Sequence, residues 1–107
     1  MEWVIQSQII MDTGGIKMAR EFKPGDIIGH FKRDLCTEQE RQQNKYLYEV
    51  IGTATHSETK EQMLVYKALY APFEIYVRPL EMAMSKTDKE KYPEATQEYR
   101  LEVYHFF

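Results

Sequence analysis

The densest run of aliphatic, aromatic and β-branched residues lies from Met63 to Met84, MLVYKALYAPFEIYVRPLEMAM, broken at Ala71-Pro72 and closed by Arg78-Pro79. Strand side chains alternate between two faces. That alternation puts Leu64, Tyr66, Ala68 and Tyr70 on one face and Met63, Val65, Lys67 and Leu69 on the other. Both faces are largely apolar, as in a strand lying in the middle of a small β-core. Tyr46 to His56 reads as a second strand, with Tyr46, Tyr48, Val50, Gly52, Ala54 and His56 sharing a face. Gly52 in its middle predicts a bulge or tight bend. The polar stretch SETKEQ, 57–62, joins the two strands as a hairpin.

Glu74 to Arg78 predicts a further strand, with Ile75 and Val77 inward and Glu74, Tyr76 and Arg78 outward. Because proline disfavours helical geometry at the residue before it, the strand runs to Arg78 and Leu80 to Met84 begins a tight or single helical turn. Upstream, Phe22-Lys23-Pro24-Gly25-Asp26 is a turn signal. It leads into a strand from Ile27 to Lys32, with Ile27, Gly29 and Phe31 opposed to Ile28, His30 and Lys32. Glu98 to Tyr104 closes the chain with Tyr99, Leu101 and Val103 inward. Capping boxes stand at Thr37-Glu38-Gln39-Glu40 and Thr87-Asp88-Lys89-Glu90. The first opens a segment that is polar on every side, so it predicts a short solvated turn rather than a core helix.

These elements predict a mainly β domain over residues 22–107: a small barrel or strongly bent antiparallel sheet with short helical turns in its loops. Residues 1–21 read as an N-terminal extension in which Met1 to Met11 fits a strand or a short helix and Asp12-Thr13-Gly14-Gly15 is a turn.

Composition narrows the picture. The chain has 107 residues, enough for one domain with a core of its own. The single cysteine, Cys36, excludes an internal disulfide and fits a reducing, cytoplasmic setting. No apolar run approaches a signal peptide core or a membrane span. The formal charge of −3, with both signs interspersed, argues against a duplex nucleic-acid partner. Eight tyrosines suit either a small core built of large side chains or a surface that meets a flat ligand.

The phrases HFK at 30–32, YEVIGTATHSETKEQ at 48–62, LVYKALY at 64–70 and VRPLEM at 77–82 resemble the bacterial family catalogued as domain of unknown function 1653, over about Lys23 to Leu101. The resemblance implies a small SH3-like β-barrel or roll in a cytoplasmic protein, and it implies no established activity. Lys60 departs from the family, standing where many such sequences have a turn glycine, and the 33–45 segment is longer than in the shortest members.

Candidate chemistry is thin. No phosphate-cradling glycine loop or nucleophile elbow is present, and Cys36 has no adjacent histidine. His56-Ser57-Glu58 with His30 as a third ligand is a weak metal constellation, and a turn-capping role for His56 accounts for the same residues. Arg78 is the more informative charge. Either it pairs with Glu81 or Glu74 to pin the turn, or it presents a guanidinium to an anion between flat walls of Tyr66, Tyr70 and Tyr76.

The sequence therefore favours a non-enzymatic binding module, without cofactor or metal, acting as a monomer or homodimer. Its predicted contact surface comprises His30, His56, Tyr66, Tyr70, Tyr76, Arg78 and Glu81, and its partner is a protein or a small anionic ligand. Two alternatives stand beside it. One is an enzyme or accessory domain acting on a nucleotide or small metabolite through His56 and Glu58 or Glu81. The other is a single-strand nucleic-acid binder.

Overall fold

The structure, a computed structural model, describes residues 9–12, 15–18 and 20–105. Ile9–Asp12 (β1) and Gly15–Met18 (β2) pair antiparallel as a two-stranded sheet. Most of the sequence read as a first element, residues 1–8, lies outside the described residues.

The main sheet has five antiparallel strands in the order β6-β5-β4-β3-β7. They are β3 (Ile27–His30), β4 (Leu47–Thr55), β5 (Gln62–Ala68), β6 (Ile75–Pro79) and β7 (Leu101–Val103). The protein is mainly β, as its alternating pattern predicts. The sheet is open, with β6 and β7 as its edges. Among the described residues, helical structure is confined to connections: a 3-10 turn over Phe31–Leu35, a helix α1 over Glu38–Gln42 and a helix α2 over Leu80–Ala83.

Several turns follow their sequence signals closely. Pro24 and Gly25 occupy the corner of the turn that feeds β3, where Asp26 N–H donates to Lys23 O at 2.9 Å and Gly25 adopts φ +93°. A side chain would be strained there. At α1 the Thr37 hydroxyl accepts the Glu40 N–H at 3.2 Å, and the Glu40 carboxylate accepts the Thr37 N–H at 2.9 Å. The capping box is complete and α1 buries no residue. Thr37→Ala is therefore expected to cost about 1 kcal/mol in urea unfolding, with no change in cooperativity. Lys60 takes φ +67°, the left-handed geometry that explains why a glycine suits its place in the hairpin turn.

Four expectations need correction. The strand read to Lys32 ends at His30, because the His30 Nδ1 accepts the Lys32 N–H at 3.1 Å and the chain coils into the 3-10 turn. The bulge at Gly52 is real, and it reverses the faces beyond it. Val50 lies opposite Tyr66 but Gly52 lies opposite Val65, so Thr53, not Gly52 or Ala54, shares the face of Val50 and Leu64. In β6 the faces are inverted. Tyr76 and Arg78 sit opposite buried Tyr66 and Leu64, whereas Ile75 and Val77 are 60% and 62% exposed. Directly opposed residues share a face, and register rather than hydrophobicity decides which it is. In the second capping box it is Asp88, not Thr87, that caps: Asp88 Oδ1 accepts the N–H groups of Glu90 and Lys91 at 3.1 and 3.2 Å. The Thr87 hydroxyl is buried with no hydrogen-bond partner among the described residues.

While buried Leu47 faces the other side, the main core cluster lies on one face of the sheet. Ile28, Tyr48, Val50, Leu64, Tyr66, Ala68 and Leu101 pack there with Phe22 and with Ala83 of α2, flanked by Tyr46, Tyr70, Leu80 and Met84. Each fully buried Leu or Ile of this set contributes about 2–3 kcal/mol of transfer free energy. In β7, Leu101 is buried as expected, but Val103 is 40% exposed at the sheet margin.

Candidate functional site

The core grades into an aromatic wall. Tyr48 of β4 and Tyr66 of β5 project to one side from paired strands, and their rings meet edge-to-face at 5.0 Å. Tyr66 leads on to Tyr76 of β6 at 5.8 Å, Tyr48 to Tyr70 at 5.7 Å, Tyr70 to Tyr46 at 6.0 Å, and Tyr46 to His30 at 5.8 Å. Tyr48 and Tyr66 are buried, while Tyr46 and Tyr70 are half-buried and Tyr76 is exposed. The cluster thus has a buried inner layer and an outer layer open to solvent.

The polar tips within this wall are ordered. The Tyr48 and Tyr70 hydroxyls hydrogen-bond each other at 2.9 Å. Burial, the Tyr70 hydroxyl and neighbouring tyrosines hold Tyr48 well above the usual phenol range, so it remains a neutral hydroxyl at any ordinary pH. Arg78 Nε donates to the Tyr66 hydroxyl at 3.2 Å. The ion pair with Glu81 or Glu74 does not form: among the described residues, the salt bridges are those of Lys23, Lys45 and Lys86. His30 is buried, and its pKa is depressed to about 4, first by burial and then by the charges of Arg78, Lys32 and Arg100. It is a neutral imidazole that uses Nδ1 as an acceptor.

Next to the wall is a groove of about 720 Å³ between the 42–45 segment and the turn carrying Leu69, Tyr70, Ala71 and Phe73. Asn44 and Phe73 on its rim, and Tyr46 beside it, adopt φ of 64°, 63° and 67°. Non-glycine residues held left-handed cost of order 1 kcal/mol each and concentrate at functional sites. Lys45 also lines the groove, its ammonium 5.6 Å from the Tyr46 ring centroid. A second cleft, about 460 Å³, carries Arg33, Asp34 and Glu102. Those groups are engaged internally. Arg33 donates to Lys45 O, Asp34 accepts from Thr96 and Gln97, and Glu102 accepts from Tyr99 N–H.

Of the residues singled out from the sequence, His30, Tyr66, Tyr70, Tyr76 and Arg78 come together around this wall. His56 does not join them. It sits at the far end of β4, where its Nδ1 accepts the N–H groups of Glu58 and Thr59 at 3.1 and 3.2 Å, a turn cap. Glu81 is exposed on α2. Among the described residues, no three His, Cys, Asp or Glu side chains converge as a metal site would require. Tyr46 and Tyr48 were not singled out, although their alternation placed them on one face. The missing information was the register against β5, which brings them to Tyr66 and Tyr70.

The family described as protein of unknown function (DUF1653) matches residues 27–102, from the start of β3 into β7. The chain belongs to that family. Comparison with curated proteins and with solved structures gives no match. The matched stretch of this DUF1653 member carries the whole aromatic wall and Arg78.

Proposed function

We propose that this protein is a non-enzymatic binding module whose tyrosine wall and Arg78 take a small planar anion, with nucleotides as the ligand class. One observation carries the reading: Arg78 is presented on an aromatic face with no carboxylate within ion-pairing distance among the described residues. A guanidinium is a fork of five donors, and the Tyr66 hydroxyl engages its Nε alone. The two terminal nitrogens suit bidentate recognition of a phosphate or carboxylate. Tyr70, Tyr76 and Phe73 offer ring faces for stacking a base. The single thiol supports a reducing, cytoplasmic setting. The helical turn between β6 and β7, with β7 returning beside β3, supports an SH3-like roll.

Titration calorimetry against nucleoside mono- and diphosphates, inorganic phosphate and a short oligo-dT tests this. Arg78→Gln is expected to weaken nucleotide binding roughly tenfold to a hundredfold while leaving the unfolding midpoint within a few degrees. Equal binding by the variant, or no binding of any probe by the wild type, would falsify the reading. Tight, steeply salt-dependent binding of oligo-dT alone would transfer the site to single-stranded nucleic acid.

A further inference from the structure

The free edge of the sheet is written in a self-complementary code. Ala68 N–H donates to Glu74 O across β5 and β6, with Tyr66 opposite Tyr76 and Leu64 opposite Arg78. Antiparallel ladders alternate bonded and non-bonded pairs. Glu74, Tyr76 and Arg78 therefore turn their backbone groups toward β5, and Ile75 and Val77 turn theirs to the open edge. These two residues are also among the most exposed apolar side chains of the described protein. A well-formed edge with exposed β-branched residues is a template for another strand.

We propose that β6 pairs antiparallel with β6 of a second copy of this chain, about a two-fold axis at Tyr76. In that register Ile75 lies across the partner's Val77, and the two exchange N–H and C=O groups, as does the symmetry-related pair, giving about four backbone hydrogen bonds. Tyr76 lies across its own copy. Glu74, exposed and without an ion pair among the described residues, lies across the partner's Arg78, which likewise has no ion pair among the described residues of its own chain. Exposed Phe73, just outside the strand, falls next to the partner's Pro79. Sliding the register by two residues in one direction sets Glu74 against Tyr76 and Ile75 against itself. Sliding it in the other sets Ile75 against Pro79, which has no N–H to give. Charge complementarity thus selects one register and one occupant.

The test is sedimentation equilibrium of the full chain from roughly 1 to 200 μM at low salt. The wild type is expected to dimerise. Glu74→Arg and Arg78→Glu are each expected to raise the dimer Kd about tenfold or more, and the double reversal to bring it back within about threefold of wild type. Ile75→Lys, at an exposed side chain that folding does not need, is expected to give a folded monomer by circular dichroism. A wild type that stays monomeric, or single reversals without effect, or a double reversal that fails to restore the dimer, each overturns the proposal. A monomer would leave the edge to a strand of another protein. Both readings draw on the Arg78 guanidinium, so the dimer is measured without nucleotide, and the double reversal separates the two: it keeps the dimer but removes the arginine from position 78.

Discussion

Arg20→Ala is expected to lower the free energy of unfolding by about 3 kcal/mol and the midpoint by roughly 10–20 °C. The size of the effect follows from how many elements one guanidinium ties together. Nη1 donates to Leu101 O of β7 at 2.8 Å, and Nη2 donates to Met84 O, just past α2, at 3.0 Å. The group also stands 3.8 Å from the Tyr99 ring centroid and 5.5 Å from that of Phe22. Leu101 is itself the residue that pairs with His30 and closes β7 onto β3. Hydrogen bonds from a charged donor contribute more than neutral ones, and removing the donor leaves two carbonyls short of a partner in a part-buried place. Arg20→Lys keeps the charge but has neither the planar fork nor the stacking face, so less than half of the loss is expected to be recovered. Thermal and urea unfolding followed by circular dichroism measures both variants. A loss below about 1 kcal/mol for Arg20→Ala would show that the carbonyls are solvated in its absence.

Arg20 also shows where the sequence is mute. It lies in the stretch set apart as an extension, and nothing local announces that its partners are 64 and 81 residues away. The same holds for Asp34, which fixes the 3-10 turn to Thr96 and Gln97 across 62 and 63 residues. What was legible is what local rules govern: the period-two hairpin of β4 and β5, the Pro24-Gly25 corner, the Thr37 box and the helical turn after Pro79. The inverted faces of β6 mark the limit. Ile75, Tyr76 and Val77 are all apolar enough to be buried, so pattern could not choose between two registers that differ by one residue and exchange every side chain. The bulge at Gly52 was visible as a glycine, but its consequence for Thr53 and Ala54 required the partner strand. The aromatic wall sits at this boundary too. Its residues were visible one by one, and their contact is a property of pairing.

Acidification from pH 6.5 to 4 is expected to destabilise the protein by up to about 3 kcal/mol through His30 alone. The histidine is buried between Phe31, whose ring centroid is 4.4 Å from its own, and Tyr46, and its pKa is held down to about 4 from a usual 6.5. The unfolded chain therefore binds a proton in this window that the folded protein refuses. Unfolding is coupled to proton uptake, so stability is full above pH 6.5, falls as pH drops towards 4, and loses nothing further from this group below that. Burial dominates the depression, and the charges of Arg78, Lys32 and Arg100 deepen it. His30→Asn separates this effect from the general loss of carboxylate interactions in acid. Asparagine can still accept the Lys32 N–H that starts the 3-10 turn, and it carries no titrating group. The difference in unfolding free energy between wild type and His30→Asn is expected to shrink steadily from pH 6.5 to 4, favouring the wild type least at the acid end. Binding links to the same residue. An anion seated on Arg78 partly neutralises one of the charges that oppose His30 protonation, so nucleotide is expected to raise the His30 pKa, seen as a shift of its imidazole resonances towards higher titration pH in NMR. No movement of that titration at saturating nucleotide would place the anion away from Arg78, and a flat wild-type stability profile between pH 4 and 6.5 would mean that His30 is hydrated rather than buried.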